Sequence, residues 1–192
     1  MMLATDRGVH HSLEHPQPTT GVSRVPTLPT GWSRETISHL AEKFAQAVGL
    51  KPGGEVSPIV ERLLNGRIVY LDWQDWKAKG ADTIEVRGPG DFTIYLSKIG
   101  GLLNNRFSIA HELGHYVLHS KLGKFPLVAQ NNGEDEAAEW EADCFAAALL
   151  MPPKEFRKLW QRQPNGRIMA SKFLVPPDVA ELWSETLNLD KP

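Results

Sequence analysis

The chain has 192 residues, with 41% hydrophobic and 23% charged residues, a formal net charge of -2 and a pI of about 6.4. This size and composition predict one globular domain and exclude a largely unstructured chain. The balanced charge argues against direct binding of nucleic acid. A membrane span is not expected, because no run approaches about 18 consecutive apolar residues.

The compartment is predicted from the cysteine usage and from the start of the chain. The single cysteine, Cys144, excludes an internal disulfide and fits the reducing cytoplasm. Cys144 lies among alanines and is interpreted as a packing residue. The first residues, Met1–Gly8, lack the apolar core of a signal peptide. We therefore expect a cytoplasmic protein without a membrane partner.

The first 31 residues differ in composition from the rest of the chain. Residues 1–31 contain four prolines, three glycines and few large apolar side chains. This composition predicts a disordered or loosely attached N-terminal arm, which leaves residues 32–192 as the folded domain. Three histidines of the arm are interpreted as solvated side chains rather than as a metal site: His10, His11 and His15.

Two helices are predicted at the start of the domain. Ser33 is the expected N-cap of the first helix, and Gly49 lies near its end. Its apolar face is formed by residues at helical spacing, namely Ile37, Leu40, Ala41, Phe44 and Val48. Pro58 lies in the first turn of the second helix, and Asn65 and Gly66 end it. Four side chains of that helix are predicted to face the core: Ile59, Val60, Leu63 and Leu64.

Three strands follow in the sequence. Residues 67–73 are rich in β-forming side chains, and residues 82–87 and 92–97 alternate apolar and polar positions around a glycine-proline turn. The last two strands are predicted to form a hairpin, and all three a small antiparallel sheet packed on helices, in an α+β fold. Strand 92–97 is the predicted edge, where an extended peptide could add as a further strand. A sheet with a purely structural role is the alternative.

The central motif is His111-Glu112-Leu113-Gly114-His115, an HExxH pattern inside a strongly apolar segment. Helical spacing places His111 and His115 about one turn apart on one face, where two imidazoles can bind one Zn²⁺ ion. Glu112 lies roughly 100° around the helix, which is the position of a general base that activates water beside the metal. The alternative is a buried helix whose histidines form hydrogen bonds in the core.

A third metal ligand is expected from a second helix, since catalytic zinc sites usually have three protein ligands. Residues 134–153 predict a strong helix that is rich in alanine and leucine, acidic at its start and ended by two prolines. Glu139 and Asp143 share a face with small alanines, which would allow close helix packing. Glu139 is the predicted third ligand, with Asp143 accepting a hydrogen bond from a ligand imidazole. Glu141 is the alternative ligand.

The remaining segments carry less chemical information. His119 lies four residues beyond His115 and is interpreted as structural or as supporting a ligand, not as a ligand itself. Residues 120–133 contain glycines and a proline and are predicted to form a loop that borders the cleft. After the double proline, a short helix is predicted over residues 155–163 and a last helix from Asp178 onward.

The segment Arg106–His119, followed by Glu141–Pro152, resembles the ImmA/IrrE family of zinc metallopeptidases. The resemblance is close over residues 104–153 and looser over residues 32–187. It implies a zincin-like domain of the gluzincin type with one Zn²⁺ ion. In such a site His111 and His115 are ligands, Glu112 is the base, and a glutamate of the second helix is the third ligand.

The same resemblance implies a substrate class. Members of the family are associated with cleavage of helix-turn-helix transcriptional repressors, in stress response or in the control of mobile elements and toxin–antitoxin systems. A partner of this kind follows from the resemblance alone, because neither composition nor spacing points to it.

Two functions of different classes fit the sequence. In a zinc endopeptidase, Glu112 takes a proton from the attacking water and passes it to the leaving amine. Candidate donors to the transition state, chosen by residue type only, are Tyr95, Tyr116 and His119. The alternative is a non-cleaving protein-binding module, either a zinc-stabilised regulator or a toxin–antitoxin partner, for which Glu112 is not required. A DNA-binding regulator is disfavoured by the charge.

Overall fold

A computed structural model describes residues 27–130 and 135–189 of the chain. Most of the predicted N-terminal arm, with His10, His11 and His15, lies outside the described residues. The short described part of that arm, residues 27–31, lies against the domain. Thr27 is buried there, and the backbone N–H groups of Thr30 and Gly31 donate to a carboxylate of the domain.

Seven α-helices are found in the described part of the chain. They are α1 (Arg34–Val48), α2 (Trp73–Lys79), α3 (Leu102–Gly114), α4 (Glu136–Leu150), α5 (Pro153–Trp160), α6 (Gly166–Phe173) and α7 (Pro177–Thr186). Two further segments are single π-helical turns, Ile59–Leu63 and His115–His119. The second of these continues α3 without a break, so the HExxH motif lies where an α-helix changes to a wider turn.

Local signals set the ends of α1, as the sequence predicts. The Ser33 hydroxyl accepts a hydrogen bond from the Thr36 N–H, and Gly49 takes a left-handed conformation with φ of 70° after the last turn. The second predicted helix is reduced to the π turn Ile59–Leu63. Because a π turn closes over five residues rather than four, Leu63 does not stack on Ile59. Leu63 is 60% exposed, so its predicted core position is wrong.

The sheet has four strands, β1 (Arg67–Leu71), β2 (Thr83–Gly88), β3 (Asp91–Ser97) and β4 (Leu127–Gln130), in the order β1-β3-β2-β4. The α+β class and the β2–β3 hairpin are confirmed. The sheet is nevertheless mixed, since β1 runs parallel to β3. The helix α2, which the sequence pattern does not predict, connects β1 to β2 and leaves room for β3 between them.

Two predictions about the sheet edges are wrong. Strand β3 is central, and among the described strands the edges are β1 and β4. Strand β4 lies in the segment that is predicted to be a loop. The sequence does not reveal this strand, because four residues are too few to show a clear alternation of apolar and polar side chains. An alternating pattern identifies the buried face of a strand, but it does not specify the neighbouring strands.

The core lies between the helices and one face of the sheet. Helix α4 packs on both α1 and α3, and α3 also contacts β3. Aromatic contacts connect these layers: Phe44 meets Phe145 edge to face, and Phe92 of β3 stacks on Tyr116 of the second π turn at a centroid distance of 4.1 Å. Within the described ranges, no helix is long and apolar enough to cross a membrane. The packing therefore fixes α3 and the following π turn between α4 and the sheet.

Candidate metal centre

The centre depends on a close contact between α3 and α4. A Cβ atom placed on Gly114 would lie 3.0 Å from the Cα and 3.3 Å from the Cβ of Ala142, which is van der Waals overlap or close to it. The two backbones can therefore touch only because residue 114 has no side chain. This contact confirms the close packing that the small residues predict. It brings the acidic face of α4 to His111 and His115, which are 5% and 1% exposed.

Three side chains converge on one point. Nε2 of His111 lies 3.1 Å from Nε2 of His115 and 3.1 Å from Oε2 of Glu139, while Nε2 of His115 lies 3.3 Å from the other oxygen of Glu139. A tetrahedral Zn²⁺ site with bonds of about 2.0–2.1 Å separates its ligand atoms by about 3.3–3.4 Å. The distances among these three side chains therefore fit a zinc ion.

The three side chains also have the protonation states that a bound cation requires, except that His111 carries one additional proton. Burial favours neutral His115 and lowers its pKa to about 4. Burial acts to raise the pKa of Glu139, but its contacts with His111 and His115 outweigh burial and lower that pKa to about 2. Burial likewise acts to lower the pKa of His111, and the contacts with Asp143 and Glu139 outweigh it and raise that pKa to about 10. A metal ion would displace the His111 proton.

Two further carboxylates of α4, those of Asp143 and Glu141, contact different histidines. Oδ1 of Asp143 lies 2.8 Å from Nδ1 of His111, which is the supporting contact that the sequence predicts. Glu141, the alternative ligand, lies elsewhere: its Oε2 is 3.0 Å from Nε2 of His119. Among the described residues, the group with metal-ligand geometry consists of His111, His115 and Glu139.

Glu112 is the second member of the HExxH motif and lies deep in the site. It is 1% exposed, and its Oε2 has no hydrogen-bond partner among the described residues. Burial raises the pKa of Glu112 to about 8, with the charges of Glu139 and Asp82 acting in the same direction and that of His111 opposing them. A buried, unpaired carboxyl oxygen that responds to the charges of His111 and Glu139 is suited to exchange a proton there.

The other residues that the sequence singles out, His119 and two tyrosines, each have a defined hydrogen-bond partner. His119 supports His115, since their Nδ1 atoms lie 3.0 Å apart. The two tyrosines are engaged elsewhere. The Tyr116 hydroxyl accepts from the Gly90 N–H, and the Tyr95 hydroxyl donates to Glu85. These contacts do not test the selection of either tyrosine as a transition-state donor, which stays a prediction from residue type.

Comparison with known proteins gives the family. The model of the IrrE N-terminal-like domain, named Peptidase M78, matches residues 64–182, which is more than half of the chain. The chain belongs to this family. The resemblance noted in the sequence is thereby confirmed, and membership in a peptidase family implies a metal in a site of this kind.

Two individual proteins are also similar to parts of the chain. Metallopeptidase ImmA of Bacillus subtilis (strain 168) is 40% identical over 53 residues, which are 28% of this chain and 31% of that protein. The match thus spans about a third of that relative's length. A solved structure, a Mycobacterium tuberculosis transcriptional regulator, superposes with a TM-score of 0.50 at 18% identity, over 76% of this chain and 45% of that one. At this identity the superposition shows a shared fold.

Proposed function

We propose that this protein is a zinc-dependent endopeptidase that cleaves a helix-turn-helix transcriptional repressor at a specific bond in the cytoplasm. One observation carries the proposal: ligand atoms of His111, His115 and Glu139 converge beside the buried, unpaired carboxyl of Glu112. The family supports peptidase chemistry, and the curated relative is named a metallopeptidase. The repressor as substrate comes from the resemblance of the motifs.

The ion would be held by two imidazole nitrogens and one carboxylate, a donor set that zinc accepts in catalytic sites. When bound, the ion supplies positive charge that polarises the water and the scissile carbonyl and stabilises the developing negative charge on oxygen. Asp143 orients the His111 ring by accepting its Nδ1–H. The chain thus fixes both the position and the tautomer of this ligand before the substrate arrives.

Glu112 moves the proton in the proposed reaction. Its Oε2 takes a proton from the attacking water and then delivers it to the nitrogen of the leaving amine. Two features of the site suit this task. No hydrogen bond from the described residues competes for this oxygen, and burial keeps its basicity well above that of an ordinary carboxylate. A pKa nearer to neutrality makes proton transfer in both directions efficient.

The substrate backbone would bind at the outer edge of β4. In the described sheet β4 is a terminal strand, and its Gln130 pairs with Thr83, which follows Asp82. The charge of Asp82 acts on Glu112, so this end of β4 lies toward the site. An extended peptide added to β4 would therefore lead toward the metal. This assignment replaces β3, which is central and has no free edge.

A substrate trap tests the proposal. Wild type and Glu112→Gln are each co-expressed with the helix-turn-helix regulators of the host and isolated with their bound partners, whose intact masses are then measured. We expect one regulator to be held whole by the variant and shortened at one bond by wild type. Glu61→Gln, which changes an exposed glutamate in the same way, should behave as wild type. The same partner bound intact to both zinc-loaded proteins would favour the non-cleaving binding module instead.

A further inference from the structure

A chain of polar contacts leads from His115 to the segment in front of α1. Nδ1 of His115 lies 3.0 Å from Nδ1 of His119, and Nε2 of His119 lies 3.0 Å from Oε2 of Glu141. The Glu141 carboxylate in turn accepts the Thr30 N–H at 2.8 Å and the Gly31 N–H at 2.7 Å. These five residues come from three separate regions of the sequence, and together they connect the candidate metal ligand to the start of the described chain.

With Glu141 ionised and both imidazoles neutral, these contacts allow only one arrangement of protons. An ionised carboxylate can only accept hydrogen bonds, and a neutral imidazole has one donor and one acceptor nitrogen. His119 must therefore donate from Nε2 to Glu141, which leaves its Nδ1 as an acceptor. His115 must then carry its proton on Nδ1. The lone pair of its Nε2 is thereby directed at His111 and Glu139, as a metal ligand requires.

Burial distinguishes this chain of contacts from the support of the other ligand. The side chains of His119 and Glu141 are 1% and 2% exposed, whereas the side chain of Asp143, which contacts His111, is 58% exposed. Water can replace Asp143 as the partner of His111. It has little access to the buried pair, so that the orientation of His115 depends on the protein itself.

We propose that His119 and Glu141, held by the backbone of Thr30 and Gly31, are positioning residues that keep His115 in its metal-binding tautomer. The segment that precedes α1 is then part of the metal centre. Glu141, the alternative to Glu139 as a ligand in the sequence, acts through His119 and not on the metal. This inference rests on the proposed metal site only in taking His115 as a ligand.

Metal affinity tests the proposal without reference to cleavage. Each full-length variant is titrated with zinc against a chelator. We expect His119→Phe, which keeps a ring but removes both nitrogens, to lower zinc affinity by about 10- to 100-fold, the range measured for supporting residues. His119→Asn should recover part of the loss, because its amide oxygen can accept from Nδ1 of His115. Thr30→Pro, which removes one N–H to Glu141, should cause a smaller loss in the same direction.

Controls separate positioning from folding and from the metal site itself. Ser120→Ala changes a buried neighbour whose contacts are with Tyr116 and Gly123, and it should keep wild-type affinity. Thermal unfolding of each variant without metal reports any loss of fold. If wild type binds no zinc, the proposed function fails. If Glu139→Gln loses zinc but His119→Phe binds it as wild type does, the metal site stands and the positioning role is overturned.

Nuclear magnetic resonance gives an independent test. Imidazole ¹⁵N–¹H correlation spectra of the zinc-loaded protein show which nitrogen of each histidine carries a proton. The expected pattern is a proton on Nδ1 of His115 and on Nε2 of His119. In Glu141→Gln the side-chain amide can donate to Nε2 of His119 as well as accept from it, so the proton of His119 is no longer confined to Nε2 and its Nε2–H signal should weaken. A proton on Nδ1 of His119 in wild type would overturn the proposal.

Discussion

Glu139 and Glu141 lie two residues apart on α4 and contact different histidines. Helical spacing separates them by about 200° around the axis. Glu139 therefore meets His111 and His115, while Glu141 meets His119 on another side of the helix. Each carboxylate is paired with imidazole, which offsets the cost of burying a charge. At the scale of residues, the site is thus two adjoining polar clusters that share His115.

Substitution of Glu139 should remove most of the metal binding. We expect Glu139→Gln to lower zinc affinity by more than about 100-fold, because it removes an anionic ligand, and Asp143→Asn by about 10- to 100-fold, because it removes only the partner of a ligand. Chelator competition measures both values. Glu136→Gln, an exposed change in the first turn of the same helix, is the matched control. A larger loss for Glu141→Gln than for Glu139→Gln would show that the ligand is misassigned.

Metal binding should release a proton from His111. Its pKa, which burial alone would lower, is raised to about 10 by Asp143 and Glu139, so the metal-free imidazole is protonated at pH 7. We expect release of about one proton per zinc ion at pH 7, and an affinity that rises with pH up to about 10. Calorimetry in buffers of different ionisation enthalpy counts the protons. Glu112→Gln removes any contribution of the Glu112 carboxyl. Zinc binding without proton release at pH 7 would contradict this prediction.

The relative positions of the candidate ligands are largely predictable from the sequence, whereas the more distant residues that contact Glu141 are not. His111, Glu112 and His115 lie within five residues, so helical spacing alone determines their relative positions. Glu139 and Asp143 follow from the same rule applied to α4. The pairing of Glu141 with His119 joins residues 22 apart, and the backbone donors of Glu141 are more than 100 residues away. Such contacts depend on how α4 is rotated against its neighbours, and a sequence pattern does not specify that rotation.

At the scale of elements, the contact between α3 and α4 sets the geometry of the centre. We expect Gly114→Ala to lower zinc affinity by about 10-fold and to destabilise the fold by roughly 1–3 kcal/mol, because its Cβ would lie 3.0 Å from the Cα of Ala142 and force the helices apart. Zinc titration and thermal unfolding measure the two effects. Gly88→Ala, whose added Cβ has no atom within 4 Å, is the control. Equal behaviour of the two variants would show that this contact does not position the ligands.

The free edge of β4 makes a prediction about the substrate. A peptide that adds to a strand uses the N–H groups of alternate residues for the ladder. Single N-methyl groups placed along a cleavable peptide should therefore abolish binding at every second position and be tolerated between. Cleavage rates of the methylated series give the pattern. Val69→Lys on β1, the opposite edge, should leave the pattern unchanged. Uniform tolerance of methylation would exclude strand addition.

The sequence predicts whether a segment is a helix or a strand better than it predicts which elements lie beside it. The caps of α1 and the alternation in β2 and β3 are local signals, and the structure agrees with them. The parallel pairing of β1 and the presence of β4 depend on long-range contacts. The helix α2 was missed because seven residues with two tryptophans, Trp73 and Trp76, have a composition that suits a strand end as well as a short helix.

At the scale of the whole molecule, one compact centre draws on distant parts of the chain. The candidate metal ligands come from α3, its π-helical extension and α4, while Thr30 and Gly31 donate the backbone N–H groups that Glu141 accepts. Family membership rests on residues 64–182, which include the candidate ligands but not this leading segment. In the proposed function, catalytic chemistry and support of the ligands would thus come from different regions of one fold.

The most direct test of the proposed mechanism is the rate at which zinc-loaded Glu112→Gln cleaves the partner captured in the substrate trap. The substitution removes the proton acceptor and leaves the three ligands in place. We expect one zinc ion per chain at wild-type affinity, and a cleavage rate at least about 100-fold below that of wild type, as expected for loss of a general base. Cleavage at the wild-type rate by the zinc-loaded variant would contradict the assignment of Glu112 and the mechanism built on it.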